Sequence, residues 1–242
     1  MNFHQVSEKI DSADSLDFGS IFSASIELFK KVWVQGFIVV LLTFVVIIPF
    51  YLIAYIPMVA AGMTDPYYFE SEELPTSMVL FFVVFYPIML IGVTMLSTCL
   101  NAAFLRICRM VDTDQTVKDD YFYYFKKPYL AKAFVLALII TGLSILGMLA
   151  CGIGLIYLVV PMSLFSAFFA FEEELTPMEI TKASFALGNK FWLVIFGLIF
   201  VAGLVAQLGV LLCFIGVLFT AMFSRIPVYF VYKQAVGFSS EV

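Results

Sequence analysis

Long runs of residues without a charge restrict the fold of this chain more than any other feature. Val32 to Thr64 contains 33 consecutive residues without Asp, Glu, Lys or Arg, and Leu74 to Leu105 contains 32. An α-helix crosses a bilayer with about 20 apolar residues, and a helix satisfies all of its own backbone polar groups there. Each run therefore predicts one membrane-spanning helix.

Two further runs are long enough for two crossings each. Ala133 to Phe171 has 39 residues without a charge, and Phe191 to Tyr232 has 42 residues interrupted only by Arg225. At about 20 residues per crossing, each run predicts two helices joined by a tight turn. The sequence thus predicts an all-α integral membrane protein with six transmembrane helices.

The composition supports a lipid environment and argues against nucleic acid. Hydrophobic residues make up 63% of the 242 residues and charged residues 13%, whereas soluble domains average about 45 to 50% and about 25%. A soluble fold of this size has no interior that would hide this excess, so the lipid bilayer is the predicted partner. The net charge of −5 predicts no nucleic-acid partner, because phosphates attract clustered Lys and Arg.

The basic residues predict the orientation in the membrane. All 13 Lys and Arg lie in the N-terminal arm, between spans two and three, between spans four and five, or from Arg225 to the end. The loop from Asp65 to Glu73 instead contains four acidic residues. Because Lys and Arg concentrate on the cytoplasmic side, both termini are predicted to be cytoplasmic and this loop to be outside.

One phrase occurs twice in the chain. Residues 24–33 are ASIELFKKVW and residues 183–192 are ASFALGNKFW, with five identical positions. The only two tryptophans, Trp33 and Trp192, fall in register, and Lys31 and Lys190 precede them by two residues. Tryptophan and lysine are favoured at the level of the lipid headgroups, so these four residues are predicted interfacial anchors.

A glycine pattern is also duplicated, in the middle of the two longest runs. Gly147 and Gly154 enclose Cys151, and Gly209 and Gly216 enclose Cys213 at the same spacing. Glycine allows positive φ and a close approach of two helices, so both patterns predict the turn of a hairpin. The two cysteines are predicted at equivalent outer turns, where either a disulfide or small apolar packing is possible.

Together, the two echoes predict three copies of one unit, in which an amphipathic helix on the inner membrane surface precedes a helical hairpin. The whole chain, 1–242, is then one membrane domain. Its predicted parts are a flexible arm (1–17), unit 1 (18–104), unit 2 (117–171) and unit 3 (177–236).

The segment from Phe171 to Trp192 resembles a known signature. An acid, a proline, a serine, a leucine, an asparagine and an aromatic residue follow one another as Glu172, Pro177, Ser184, Leu187, Asn189 and Trp192. On these residues the chain resembles YciC-like bacterial membrane proteins and the membrane domain of some glycerophosphoryl diester phosphodiesterases. The usual Glu-Ala pair is Glu179-Ile180 here. The resemblance implies six spans in the bacterial cytoplasmic (inner) membrane and no settled activity.

Three polar residues within the spans are candidate ligand or lipid contacts. Arg225 is the only charge inside an apolar run, and a charge at a helix centre costs about 2.5–3.5 kcal/mol on insertion scales. Its long stem can reach the inner headgroups, or its guanidinium can contact a ligand. Asn101 and Gln207 lie toward span ends, where interhelical hydrogen bonds are the common alternative to ligand contacts.

The sequence contains no pattern typical of catalysis, metal binding or a cofactor. His4 is the only histidine, the cysteines lack zinc-ligand spacing, and neither a nucleophile elbow nor a phosphate-binding glycine loop is present. No catalytic residue, metal ligand or cofactor is therefore predicted.

The favoured functional prediction is a non-enzymatic inner-membrane scaffold or accessory partner of envelope components, acting with another membrane protein or as a homo-oligomer. The alternative is a transporter or lipid-handling protein in which Arg225 faces an internal path. The position of Arg225 distinguishes them. A closed, polar cavity within the membrane, with Gln207 or Asn101 near Arg225, favours transport, and a guanidinium that reaches the inner interface favours the scaffold.

The predicted topology gives a labelling experiment. Lys126, in the basic stretch after span two, should resist a membrane-impermeant amine reagent in intact cells and react after permeabilisation, as read by mass spectrometry of its peptide. Glu70→Lys places a matched amine in the outer loop and should react in both conditions. Labelling of Lys126 in intact cells would contradict the orientation.

Overall fold

The computed structural model describes residues 1–60, 76–115, 119–150, 152–211 and 215–238. All regular secondary structure in these ranges is helical, which confirms the all-α class. The α-helices are α1 (Phe3–Ser12), α2 (Phe18–Ala60), α3 (Thr76–Asp112), α4 (Lys127–Leu149), α5 (Ile153–Phe171), α6 (Pro177–Lys190), α7 (Trp192–Gln207), α8 (Ile215–Thr220) and α9 (Ile226–Ala235). Short 3₁₀ helices cover Tyr123–Phe125, Leu208–Leu211 and Ala221–Arg225. The described residues do not include Cys151, Cys213 or the loop from Asp65 to Glu73. The disulfide considered for the two cysteines and the outer position predicted for the loop therefore stay predictions.

Within the described residues, five helical segments are long and apolar enough to cross a membrane. They are Phe18–Val59, Val79–Asp112, Lys127–Leu149, Ile153–Phe171 and Trp192–Val210. Their surfaces carry large exposed apolar side chains such as Val45, Val83 and Leu149, with exposed fractions of 62, 63 and 77%. Contiguous apolar surface of this kind is unfavourable in water, so these helices are compatible with an all-α membrane protein.

The sixth predicted span is not one continuous helix. It is divided into α8, the 3₁₀ helix Ala221–Arg225 and α9. Pro227 is the second residue of α9 and has no backbone N–H, so it fits a helix start and disfavours an α-helix that continues from the preceding turn. The prediction of six continuous spans is therefore not confirmed.

The amphipathic segments before the predicted spans differ from one another. α2 continues through Trp33 without a break and is about 65 Å long, so the predicted surface segment from Phe18 to Trp33 is part of the first spanning helix and not a helix of its own. In the connection between α3 and α4, the only regular structure among the described residues is the single 3₁₀ turn Tyr123–Phe125. Of the three predicted surface segments, only the third forms a helix of its own, α6, which ends at Lys190, with Phe191 at the junction to α7.

α6 packs antiparallel to α5. A Cβ added at Gly188 would lie 3.1 Å from the Cα of Pro161, so the two backbones are in close contact. At the same end, the Tyr157 hydroxyl donates to Asn189 Oδ1 at 2.6 Å, and the indole of Trp192 donates to the carbonyl of Tyr157 at 3.1 Å. The buried face of α6 therefore contacts protein rather than lipid.

α6 begins with a capping box. The backbone N–H of Thr176 donates to Glu179 Oε2 at 2.8 Å, and the Thr176 hydroxyl donates to the same oxygen at 2.7 Å. These hydrogen bonds hold the pKa of Glu179 below its ordinary value. In the Glu179-Ile180 pair, the acid thus fixes the start of the helix, while Ile180 is buried in its core face.

The repeated phrase corresponds to the same buried stripe in α2 and α6. Ser25 and Ser184 are both completely buried. The exposed fraction of Leu28 is 3%, and that of Leu187 is 0%. Serine and leucine three residues apart lie on one face of a helix, where the small serine allows a close neighbour. Packing against protein therefore accounts for these two positions of the repeat.

The prediction of a flexible arm over residues 1–17 is wrong for α1. Asn2 and Gln5 form a capping box, in which Gln5 N–H donates to Asn2 Oδ1 at 2.9 Å and Asn2 N–H donates to Gln5 Oε1 at 3.1 Å. Val6 and Ile10 lie one turn apart and are buried. This apolar stripe docks the helix against the rest of the protein.

The close approach predicted for both glycine patterns is confirmed. A Cβ added at Gly154 would lie 2.9 Å from the Cα of Gly147, and one added at Gly209 would lie 2.5 Å from the carbonyl carbon of Gly216. Any larger residue would separate the paired segments. The two glycines of each pattern are thus direct neighbours in space.

The contact between α5 and α6 can be tested by substitution at Gly188. Gly188→Leu should lower the thermal unfolding midpoint in detergent, because the new side chain meets the α5 backbone; overpacking costs about 1–3 kcal/mol. Gly142→Leu in α4 is the matched control, since an added Cβ has no neighbour within 4 Å there. Equal losses in the two variants would contradict this packing.

Candidate functional site

Two of the three predicted polar residues line the same cavity. Asn101 of α3 and Arg225, the last residue of the 3₁₀ helix before α9, border a partly open cavity of about 480 Å³ between the helices. Gln207 is not among the residues that line it and is exposed at the end of α7. The structure therefore brings Arg225 and Asn101 together and leaves Gln207 apart.

The cavity lies within the apolar layer. Ile140, which lines it, is about 20 Å from the start of α4, and Ser163 is about 15 Å from the start of α5. Both helices are candidate membrane spans, of about 34 and 28 Å respectively, so these positions are near their middles. Arg225 is thus beside a cavity at mid-depth.

Hydroxyl groups accompany Arg225 and Asn101 in the cavity wall. They belong to Thr94, Ser97, Thr98, Ser163, Ser166 and Ser224. Four of the polar residues on α3, at positions 94, 97, 98 and 101, have the spacing of one helix face. This spacing is visible in the sequence and was a missed signal, although it does not reveal which other helices complete the wall.

Several of these hydroxyls donate to their own helix. Thr98 donates to the carbonyl of Thr94 at 2.8 Å, and Ser224 donates to the carbonyl of Ala221 at 2.9 Å. Serine and threonine in helices commonly make such bonds, which leave their lone pairs free to accept. The side chains with N–H donors to offer a ligand are therefore those of Asn101 and Arg225.

Arg225 has no counter-charge within the described residues. None of the hydrogen bonds or ion pairs between described side chains involves its guanidinium, and the described residues lining the cavity include no aspartate or glutamate. A charge removed from water without a partner is unfavourable, so an anion entering this cavity would be strongly attracted. The arrangement is suited to binding an anion.

A packed layer separates the cavity from the end of the bundle that is predicted to face the cytoplasm, which is called the inner end below. Leu105 and Cys108 of α3 and Tyr229 of α9 are buried there. Below them, Asp112 accepts hydrogen bonds from the Tyr229 hydroxyl, at 2.6 Å, and from the ammonium of Lys233. Lys233 is about 12 Å along the helix from Arg225. Side chains therefore fill the inner end of the bundle. The hydrogen bonds from Tyr229 and Lys233 to Asp112, called the Asp112 lock below, join α3 to α9 there.

The acid of the predicted signature has a structural role at the same inner end. Glu172 is 1% exposed, and its carboxylate accepts hydrogen bonds from the Met1 ammonium, at 2.7 Å, and from the Tyr232 hydroxyl. Lys132 donates to the carbonyls of Glu172 and Glu173, both at 3.1 Å. These bonds join α1, α4, α5 and α9.

The four predicted anchors occupy different surroundings. Lys31 and Trp33 are exposed on α2, with the Trp33 ring 6.0 Å from that of Phe219, and they remain predicted headgroup contacts. Trp192 is half-buried and hydrogen-bonded to α5. Lys190 differs from the prediction, because its ammonium donates to the carbonyls of Ile10, Asp11 and Ala13 at 2.8–2.9 Å. It caps the C-terminal end of α1 instead.

The chain matches no protein-family model, no curated protein and no solved structure. The resemblance to YciC-like proteins therefore stays a prediction. Among the described residues, no group of three or more His, Cys, Asp or Glu side chains is placed to hold a metal ion. The functional argument consequently rests on the geometry of the cavity.

The Asp112 lock predicts that neutralising Asp112 destabilises the protein more than neutralising an exposed acid does. Asp112→Asn should lower the free energy of unfolding by about 1–3 kcal/mol, because Tyr229 and Lys233 lose a charged acceptor that is largely buried. Glu27→Gln removes the acid of the exposed Lys30–Glu27 pair and should change it by less than about 1 kcal/mol. Denaturation of the purified proteins in mixed micelles measures both, and similar losses would contradict the proposed lock.

Proposed function

We propose that the chain is a multi-pass protein of a bacterial inner membrane that binds an anionic amphiphile in the cavity at Arg225, and that it transports or otherwise handles this ligand without catalysing a reaction. The observation that carries the proposal is the guanidinium of Arg225, without a counter-charge in the described residues, in a polar cavity shared with Asn101. This arrangement favours ligand handling over the scaffold function predicted from the sequence.

The chemistry of arginine supports an anionic ligand. A guanidinium presents five N–H donors in a planar fork that matches a carboxylate or a phosphate. Electrostatic attraction is also stronger at mid-depth than in water because the surroundings are less polarisable. Hydrogen bonds to charged groups contribute about 1.5–3 kcal/mol, which corresponds to roughly a tenfold to hundredfold effect on affinity.

The rest of the wall supports a ligand that is partly apolar. Val93, Ile140, Val159, Met162 and Phe165 contribute hydrocarbon surface to the same cavity. Its volume of about 480 Å³ lies in the range typical of small-molecule sites, about 300–1,000 Å³. An amphiphile would place its charged group beside Arg225 and its apolar part against these side chains.

The divided sixth segment also supports an anion site. α9 begins next to Arg225, so the positive end of its helix dipole adjoins the cavity. Many transporters place the ends of discontinuous helices at their substrate sites. The proposal includes six crossings, with residues 215–235 as the last, and both termini in the cytoplasm. It also retains the three repeated units, supported by the paired glycines of two hairpins.

Loss of the charge at position 225 tests the function. The full chain is purified in mild detergent, and its bound lipids and small anions are identified by native mass spectrometry. Wild type should retain an anionic amphiphile, Arg225→Gln should bind it at least about tenfold more weakly, and Arg225→Lys should lie between them. Lys30→Gln removes an exposed positive charge and should bind like wild type.

Two results would overturn the proposal. One is equal occupancy of the same anion in wild type and Arg225→Gln. The other is the absence of any bound anion from wild type together with a protein partner that co-purifies with both variants, as the scaffold function predicts. Thermal unfolding confirms that each variant is folded before its ligand content is compared.

A further inference from the structure

A second pocket lies at the inner end of the bundle, separate from the cavity at Arg225. Its volume is about 360 Å³, and charges of both signs line it. Arg106 and Arg109 of α3 and the ammonium of Met1 supply the positive groups, and Glu173 and Glu174, which follow α5, supply the negative groups. Tyr123 and Phe171 add aromatic surface.

Aromatic rings hold both guanidiniums in place. The Cζ of Arg106 lies 4.0 Å from the centre of the Tyr123 ring, and the Cζ of Arg109 lies 4.3 Å from the centre of the Phe238 ring. The two arginines are three residues apart and so lie on one face of α3. Stacking occupies the flat face of a guanidinium and leaves its N–H edge free for an anion.

The two glutamates of the pocket interact with groups other than the arginines. Glu173 Oε1 accepts hydrogen bonds from the hydroxyls of Tyr129, at 2.9 Å, and Tyr123, at 3.2 Å. Glu174 is mostly exposed, and one of its oxygens is 3.8 Å from the Met1 ammonium, which Glu172 binds more closely. No ion pair among the described residues joins either glutamate to Arg106 or Arg109.

The pocket is at the depth predicted for the inner headgroups. Arg106 and Arg109 are about 8 and 12 Å further along α3 than Asn101, toward its inner end. Phe171 is the last residue of α5, and Tyr123 lies shortly before α4 begins. Aromatic and basic side chains are favoured in this layer. A lipid headgroup or a soluble cytoplasmic molecule would both reach such a position.

We propose that this pocket binds a zwitterion in which a phosphate or carboxylate is linked to a primary ammonium. The anionic group contacts Arg106 and Arg109, and the ammonium contacts Glu173 and Glu174. An ethanolamine phospholipid of the inner leaflet carries this group, and so do soluble phosphoamines and amino acids. A choline headgroup fits less well, because its quaternary ammonium has no N–H to donate to a carboxylate. The site does not depend on the function proposed for the cavity.

Defined lipids with identical acyl chains test the site on the full chain. Native mass spectrometry in mild detergent compares phosphatidylethanolamine, phosphatidylcholine and phosphatidylglycerol, and soluble phosphoethanolamine is added as a competitor. The ethanolamine lipid should bind at least about tenfold more tightly than the other two. Displacement by an equal concentration of phosphoethanolamine identifies a soluble ligand, whereas resistance to displacement identifies a lipid, and either result supports the zwitterion site.

Variants assign the two charges separately. The double variant Arg106→Gln/Arg109→Gln should lose at least about tenfold in affinity for the ethanolamine lipid. Glu173→Gln keeps an acceptor for the tyrosine hydroxyls and should remove the preference for ethanolamine over glycerol. Should the double variant unfold, Glu173→Gln and the lipid series still decide. Lys182→Gln, an exposed charge change on α6, should behave like wild type.

Arg225→Gln separates the two proposals, since it alters the cavity and should leave binding of the ethanolamine lipid unchanged. Equal binding of the three lipids by wild type would overturn the inner-pocket proposal, as would a double variant that binds like wild type. Loss of ethanolamine lipid from Arg225→Gln alone would also overturn it, because the lipid would then occupy the cavity.

Discussion

A peptide group in hydrocarbon finds no water to bond with, and this constraint determines most of the structure. It requires continuous helices wherever the chain meets lipid, and it confines irregular backbone to places surrounded by protein. The 3₁₀ segment Ala221–Arg225 is the main departure within the predicted spans, and it lies where the bundle encloses polar side chains. The break in regular α-helix and the half-buried Arg225 thus occur at the same place.

The two ends of the helix bundle differ in how their side chains are exposed. Toward the outer ends of α2, α3 and α4, large apolar side chains are exposed, as lipid contact requires. Toward the inner ends, the side chains are buried as in a soluble domain, and Asp112 and Glu172 form bonds between segments that are far apart in sequence. The proposed anion cavity lies between these two ends, where polar groups are present and water is scarce.

The sequence predicted what depends on local composition and missed what depends on packing. Runs without charges identified five of the spans, and glycine spacing identified the close hairpin contacts. The junction at Phe191 was not predictable from the repeated phrase, because α2 shares five of its ten residues and continues through them without a break. In the second copy, the indole of Trp192 donates a hydrogen bond to α5. Arg225 and Asn101 could be recognised as candidates from the sequence, but only the packing of α3 and the segment before α9 around one cavity brings them together. The capping box at Asn2 was legible and was overlooked.

The continuity of α2 has a mechanical consequence. At about 65 Å the helix is roughly twice as long as the hydrocarbon layer is thick, so part of it stands among headgroups or in the inner core. No hinge from a chain break separates these parts, although Pro49 and Pro57 lie in the outer portion. A change in the tilt of the middle of α2 would therefore also move Ser25 and Leu28, which are buried near the start of the same helix. One unbroken helix thus joins the exposed apolar surface around Val45 to the packed residues near the start of α2.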